Sequence, residues 1–314
     1  METPFFSVIL PTFNRLELLK IAIQSVVSQS FNSWELVIVN DASTDETKEY
    51  LDSLNCSKIK VFHNLKNLHK GGTRNIGIVN STGKYICFLD DDDYFIESHL
   101  QVFYDFILSC NQKIAVFYTM PISHNKQTGE ISKRILPKIE NQNPIEYYLD
   151  HKNGVPTPRM CIEKTILNDN LFNPKIKIGQ DTELLLRIVV NYPAYPIIEH
   201  TSVMVIHDDN SGNLKYDTGQ ARLKGLKIIF SNPEISRLIS KPLKQRMIAY
   251  CHLKSCEHYS FIGKRFFVIK YALKSIVASQ KDGQIKTKII FILYNLPFGR
   301  LVKKTVRLIK KITF

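Results

Sequence analysis

Short apolar runs alternate with segments of helical period from the start of this chain. Residues 6–10 read as a strand, and 16–27 as a helix with apolar positions at 16, 18, 19, 21, 23, 26 and 27. Residues 34–39 form the next strand. A helix follows, opened by Ser43 or Thr44 with Asp45 and Glu46 in its first turn. Residues 59–62, 72–80 and 85–89 continue the series as strand, short helix and strand. Such alternation without hairpin turns predicts an α/β fold with a doubly wound, mostly parallel sheet. Residues 114–118 fit a fifth strand, and 123–134, around Gly129, a hairpin or loop. Residues 140–212 mix short elements with Pro-rich connections. Helices are expected at 222–230, 242–259 and 261–279.

In an open parallel sheet, ligands bind outside the carboxyl ends of the strands. Polar residues gather there. Pro11-Thr12-Phe13-Asn14 follows the first strand, Asn40-Asp41-Ala42-Ser43 the second, and Asp90-Asp91-Asp92-Asp93 the fourth. Four consecutive carboxylates repel one another unless a cation sits among them, and their oxygens suit a hard ion such as Mg²⁺ or Mn²⁺. One acidic run can be a solvated turn, and Asp41 alone a helix cap. Three polar clusters on one sheet edge predict a binding cleft.

Charge divides the chain. Residues 1–212 carry 20 Lys+Arg against 25 Asp+Glu, a balance of −5, while 213–314 carry 22 against 4, a balance of +18. A boundary near 212 is expected, with a basic helical region after it. At 314 residues and 44% hydrophobic content, a large α/β domain with an appendage is accommodated. The first six residues lack a basic n-region, so no leader is expected. The six cysteines show no metal spacing and read as reduced, mostly buried thiols of a cytosolic protein.

The segments Ser7-Val8-Ile9-Leu10-Pro11-Thr12-Phe13-Asn14-Arg15, Trp34 through Asp45, Gly72-Thr73-Arg74-Asn75-Ile76-Gly77 and Gly83 through Asp93 strongly resemble family 2 glycosyltransferases in order and spacing. The similarity is dense over 5–110 and weaker to about 210. It implies a GT-A fold, with a nucleotide-binding half (1–110) and an acceptor-binding half (111–212). It further implies a nucleotide-sugar donor, a divalent metal (Mn²⁺ or Mg²⁺) and inversion at the anomeric carbon. By this resemblance Pro11, Thr12, Asn14, Asp41 and Arg74 contact the donor nucleotide, usually uridine-based. Asp90 and Asp92 match an Asp-x-Asp motif, with Asp92 on the metal and Asp90 nearer the ribose. Asp91, at a position often small in the family, adds charge to the donor side.

Transfer also needs a base for the acceptor hydroxyl. Gln180-Asp181 resembles the family's Glu-Asp segment, which makes Asp181 the expected base, with Gln in place of Glu. Read without the family, Asp181 is a helix N-cap. Glu183 is a second candidate base, or a capping partner in the first turn. His207 matches a position where relatives carry a His that reaches the metal or diphosphate; Asp208 and Asp209 are weaker candidates. His63, His69 and His151 have no spacing that argues for chemistry.

In residues 300–314, apolar and basic positions alternate at helical period, the pattern of an interfacial helix on an anionic membrane. Residues 289–296 are too short to span a bilayer. Nucleic-acid binding has no accompanying recognition motif. With the family resemblance, these features imply a cytoplasmic enzyme, peripheral on the inner face of the membrane. It would transfer sugar to a glycan or lipid-linked glycan acceptor in surface polysaccharide synthesis. Two alternatives are a polyprenyl-phosphate glycosyltransferase, whose anionic acceptor needs no strong base, and a catalytically silent nucleotide-sugar-binding protein.

Overall fold

Residues 6–12 and 34–40 are buried at every position, because both faces of their sheet are covered. The computed structural model describes residues 3–139, 142–150, 152–207 and 216–278. The chain divides into two units, Met1–His207 and Asp208–Phe314.

The first unit opens with β1 (Phe6–Thr12), α1 (Leu16–Val27), β2 (Trp34–Asn40), α2 (Thr47–Asp52), β3 (Ile59–His63), α3 (His69–Asn80) and β4 (Tyr85–Phe88). It continues through β5 (Tyr94–Phe95), α4 (His99–Ser109), β6 (Val116–Thr119), β7 (Ile122–Asn125), β8 (Ile131–Lys133) and α5 (Pro144–Leu149). A 3-10 turn (Thr157–Arg159) precedes β9 (Met160–Glu163), α6 (Lys164–Asp169), α7 (Gln180–Val189), β10 (Ala194–Ile197) and β11 (Ser202–Ile206). Seven strands form one sheet in the order β10-β6-β9-β4-β1-β2-β3. All its pairings are parallel except those of β9, which runs antiparallel to both β4 and β6. A smaller sheet, β5-β11-β7-β8, includes the expected hairpin, with Gly129 at φ +71° before β8.

Helix α1 buries Leu19, Ala22, Ile23 and Val26, the i, i+3, i+4, i+7 stripe of a helix lying on a sheet. Helix α2 starts later than Ser43 or Thr44, because those residues are held in a turn by Asn14. In the second unit, α8 (Thr218–Ser231), α9 (Pro233–Ser236), α10 (Lys241–Phe261) and α11 (Arg265–Ala278) follow one another. There Val268, Tyr271 and Ala272 of α11 cluster with Cys256 of α10. The six cysteines are free thiols. No helix among the described residues is long and apolar enough to cross a membrane. Residues 300–314, expected to form an interfacial helix, lie outside the described residues.

Candidate active site

The ends of β1, β2 and β4 meet the start of α3 along one edge of the larger sheet. Register pairs Thr12 with Asn40 across β1 and β2, and Ile9 with Phe88 across β1 and β4. The polar residues after each strand therefore converge. Asp41 N–H donates to the Thr12 carbonyl at 2.8 Å, which extends the β1–β2 ladder one step into the site.

Pro11, Thr12, Asp41, Lys70, Thr73 and Asp91 wall a cleft of about 190 Å³. Asp41 Oδ1 accepts from Asn64 Nδ2 and from Leu68 N–H, both at 2.8 Å. Asn14 and Arg74 are not among the residues that wall the cleft. Asn14, at φ +52°, donates its N–H to Ser43 Oγ (3.0 Å), and its Oδ1 accepts from Thr44 N–H (2.7 Å). Ala42 at φ +62° and His69 at φ +60° share the left-handed conformation, which is uncommon for residues with a Cβ and is found where surrounding contacts hold it.

Each carboxylate of the acidic run has its own partners. Asp90 receives Lys70 Nζ at 3.2 Å and the Arg74 guanidinium. Burial would raise Asp90, but Arg74 and then Lys70 outweigh it and hold the carboxyl below its usual range. Asp91 accepts from Thr12 Oγ1 (3.0 Å) and from Arg15 Nη1 (3.2 Å), yet burial still pushes it up. Asp92 Oδ2 accepts from Arg15 Nη1 at 2.5 Å and lies 3.2 Å from His207 Nε2. Asp93 Oδ1 accepts from Val205 N–H at 2.9 Å. Burial and the charges of Asp90 and Asp92 drive Asp93 well above its ordinary value.

Asp90, Asp92 and Asp93 each offer an oxygen within 4.8 Å of the others. Three hard oxygen donors, one of them pushed up by burial and then by its like-charged neighbours, fit a divalent cation such as Mn²⁺ or Mg²⁺. The sequence singles out Asp90 and Asp92 and leaves Asp93 open, and it does not reveal Arg15 and Lys70 as counterions. The available signal was electrostatic: four adjacent acids require cations, and Arg15 ends the segment Ser7–Arg15 that follows the family's order.

Asp181 lies in the first turn of α7. The helix is capped by Gly179 at φ +86°, so Asp181 is not its N-cap; its Oδ1 accepts from Thr182 N–H at 2.9 Å. Gln180 presses on α3. Its Oε1 sits 3.0 Å from where a Cβ on Gly71 would lie, and Gly71 adjoins Lys70. Phe172 strengthens this approach by exchanging two hydrogen bonds with Asn75 of α3 (2.9 and 2.8 Å) and laying its ring against Arg74. The start of α7 packs on α3, the helix whose side chains hold Asp90, and the segment ahead of α7 is bonded to that helix through Phe172. Glu183 is engaged within the helix by Arg187, whose Nε donates to its Oε1 at 2.7 Å. His207 reaches Asp92, as given above, while Asp208, Asp209 and His151 lie outside the described residues.

The chain is 28% identical over 228 residues to a protein of Escherichia coli K12 named as a colanic acid biosynthesis glycosyl transferase, WcaA; the match covers 71% of this chain and 79% of the relative. It is 28% identical over 169 residues to WfgD of Escherichia coli, a UDP-Glc:α-D-GlcNAc-diphosphoundecaprenol β-1,3-glucosyltransferase, covering 54% of this chain and 64% of WfgD. Against three uncharacterized Rickettsia glycosyltransferases the match spans between 30% and 45% of their length. Among solved structures, Staphylococcus aureus TarS 1–349 in complex with UDP-GlcNAc superposes with a TM-score of 0.58 at 19% identity, over 96% of this chain and 91% of TarS. The mannosyltransferase PcManGT of Pyrobaculum calidifontis, with GDP-Man and Mn²⁺, gives 0.57 at 14% identity, over 98% and 81%. These neighbours share the GT-A fold. The model of Glycosyl transferase family 2 matches residues 7–172, more than half of the sequence, and the chain belongs to that family of glycosyltransferases.

Proposed function

We propose that this glycosyltransferase is an inverting, metal-dependent enzyme that moves a sugar from a UDP-sugar to a lipid-linked glycan in surface polysaccharide synthesis. The observation that carries the reading is the junction of Asp90, Asp92 and Asp93, with oxygens within 4.8 Å, beside a cleft walled by Thr12, Asp41 and Lys70. Pro11, Thr12, Asn14 and Asp41 shape the nucleotide site, and Asp41 is the partner for the base. Arg74 and Lys70 fix Asp90, and Asp91 braces Thr12 on the donor side. Asp90, Asp92 and Asp93, with His207 against Asp92, would hold Mn²⁺ or Mg²⁺, which when bound neutralises charge on the departing diphosphate.

Asp181 is the base in this reading. Its carboxylate takes the acceptor hydroxyl's proton as that oxygen attacks the anomeric carbon opposite the leaving group, which inverts the centre. The diphosphoundecaprenol-linked acceptor in WfgD's name supports a lipid-linked acceptor here, and Mn²⁺ with PcManGT supports the choice of ion. Residues 1–110 would bind donor, 111–212 acceptor, and the basic region 213–314 the anionic inner leaflet of the membrane, with 300–314 as the contact.

Hydrolysis of UDP-sugars provides the test. Turnover is expected with Mn²⁺ and is expected to vanish with EDTA or in Asp92→Ala. Normal turnover by Asp92→Ala would sink the metal assignment, and no turnover of any nucleotide sugar by the wild type would favour a silent binding protein.

A further inference from the structure

We propose that His63 is a positioning residue for the donor-nucleotide turn, acting through Asn40 as a neutral imidazole protonated on Nε2. The inference rests on the donor-cleft reading above.

Two consecutive residues at the end of β3 grip two consecutive residues at the end of β2. Asn64 Nδ2 donates to Asp41 Oδ1 at 2.8 Å, and His63 Nδ1 lies 3.1 Å from Asn40 Nδ2. Register sets this up, since Asn40 pairs with His63 and the Asn64 N–H donates to the Asn40 carbonyl.

The polarity of the chain of contacts is fixed from one end. Asn40 Oδ1 accepts from Ser43 N–H at 3.0 Å. A backbone N–H can only donate, so the oxygen of the amide is on that side and the NH₂ faces His63. The NH₂ donates to Nδ1, which must keep its lone pair. The ring proton is therefore on Nε2, where it donates to Asp52 Oδ1 at 3.0 Å, and Lys48 Nζ in turn holds Asp52 at 2.6 Å.

What this relay secures is a strained turn. The Asn40–Ser43 bond closes over Ala42, whose φ is +62°, and Ser43 Oγ accepts from Asn14, whose φ is +52°. Asp41, which lines the cleft, sits between Asn40 and Ala42. Backbone in this region persists only where its surroundings hold it. Asn40 is buried, so without an acceptor at position 63 its NH₂ is left unpaired, and turning the amide over forfeits the bond to Ser43.

The test uses the full chain, with UDP as probe in titration calorimetry alongside donor KM and kcat. His63→Phe keeps a ring but removes the acceptor. It is expected to weaken UDP about five- to tenfold and to raise donor KM by the same factor, with kcat within about twofold. His63→Asn offers an oxygen near the place of Nδ1 and is expected to restore both values to within about twofold of wild type. Equal UDP affinity in wild type and His63→Phe overturns the inference, even if that variant melts earlier. So does a His63→Asn variant as weak as His63→Phe. Failure of the wild type to bind either UDP or GDP overturns the donor-cleft reading itself, and this inference with it.

Discussion

Arg15 Nη1 donates to Asp92 Oδ2 at 2.5 Å and to Asp91 Oδ1 at 3.2 Å, so one guanidinium spans the middle of the acidic run. Arg74 and Lys70 attend Asp90 from α3. Cations from the β1–α1 connection and from a separate helix thus hold the run from two sides. Asp92 belongs to the group suited to a metal ion and is also the acid that Arg15 holds most closely, so an arginine and an ion would share one carboxylate.

Removing Arg15 is expected to separate those two roles. Arg15→Met leaves two buried carboxylates without their cation and should cost about 1–3 kcal/mol of stability without metal. Added Mn²⁺ should then raise the melting temperature more in the variant than in the wild type, since the ion no longer competes with the guanidinium. Thermal denaturation with and without Mn²⁺ checks this; equal shifts would mean that ion and arginine do not contend for Asp92.

Gly77 is where α3 touches β1. A Cβ there would lie 2.4 Å from Ile9 Cγ2, in a strand buried throughout, so Gly77→Ala must push the helix off the sheet. Overpacking of this kind costs about 1–3 kcal/mol. Because α3 carries Lys70 and Arg74, donor KM should rise with the loss of stability. Urea denaturation and steady-state kinetics on the one variant test the two effects together.

The parts legible in the sequence were those whose cause is local. Strands β1 and β2 are continuous apolar runs because both faces are covered, and α1 carries its stripe on one side. Strand β9 went unread: a run of four residues carries no sign of its direction, and it inserts antiparallel between β4 and β6, partners far away in the chain. The acidic run was visible, but Arg15, its counterion, comes from 77 residues upstream of Asp92. The pairing of His63 with Asn40 likewise depends on strand register, which spacing along the chain does not reveal. Asp181 stood out only through family resemblance, since an acid in a first helical turn is common on electrostatic grounds alone.

His99 sets a pH dependence of stability. It is fully buried, stacked 3.7 Å from Phe95, bonded to Thr201 Oγ1 at 2.7 Å, and burial lowers its pKa to about 3. The unfolded chain protonates this ring near pH 6.5 and the folded one only near 3. Between those values the unfolded state binds the extra proton, so stability falls as pH falls, by up to about 1.4 kcal/mol per unit from this group. In His99→Gln that contribution disappears. Urea midpoints from pH 7 to 4 should decline less steeply than in the wild type, and parallel curves would refute the assignment.

Asp181 distinguishes the two enzymatic readings of the acceptor. The α7 N-terminus packs on α3 through Gln180 against Gly71, a contact that does not involve residue 181, so Asp181→Asn keeps that packing while losing the basic carboxylate. If the acceptor is a sugar hydroxyl, kcat should fall by about two to four orders of magnitude, the range typical of a lost general base, with donor KM nearly unchanged. A phosphate acceptor is already anionic and needs little help, so much of the activity would survive. Measuring kcat with a lipid-diphosphate-linked sugar and with a polyprenyl phosphate, for wild type and variant, separates the cases. A large loss confined to the sugar acceptor identifies Asp181 as the base; wild-type rates with both acceptors would remove it from the mechanism.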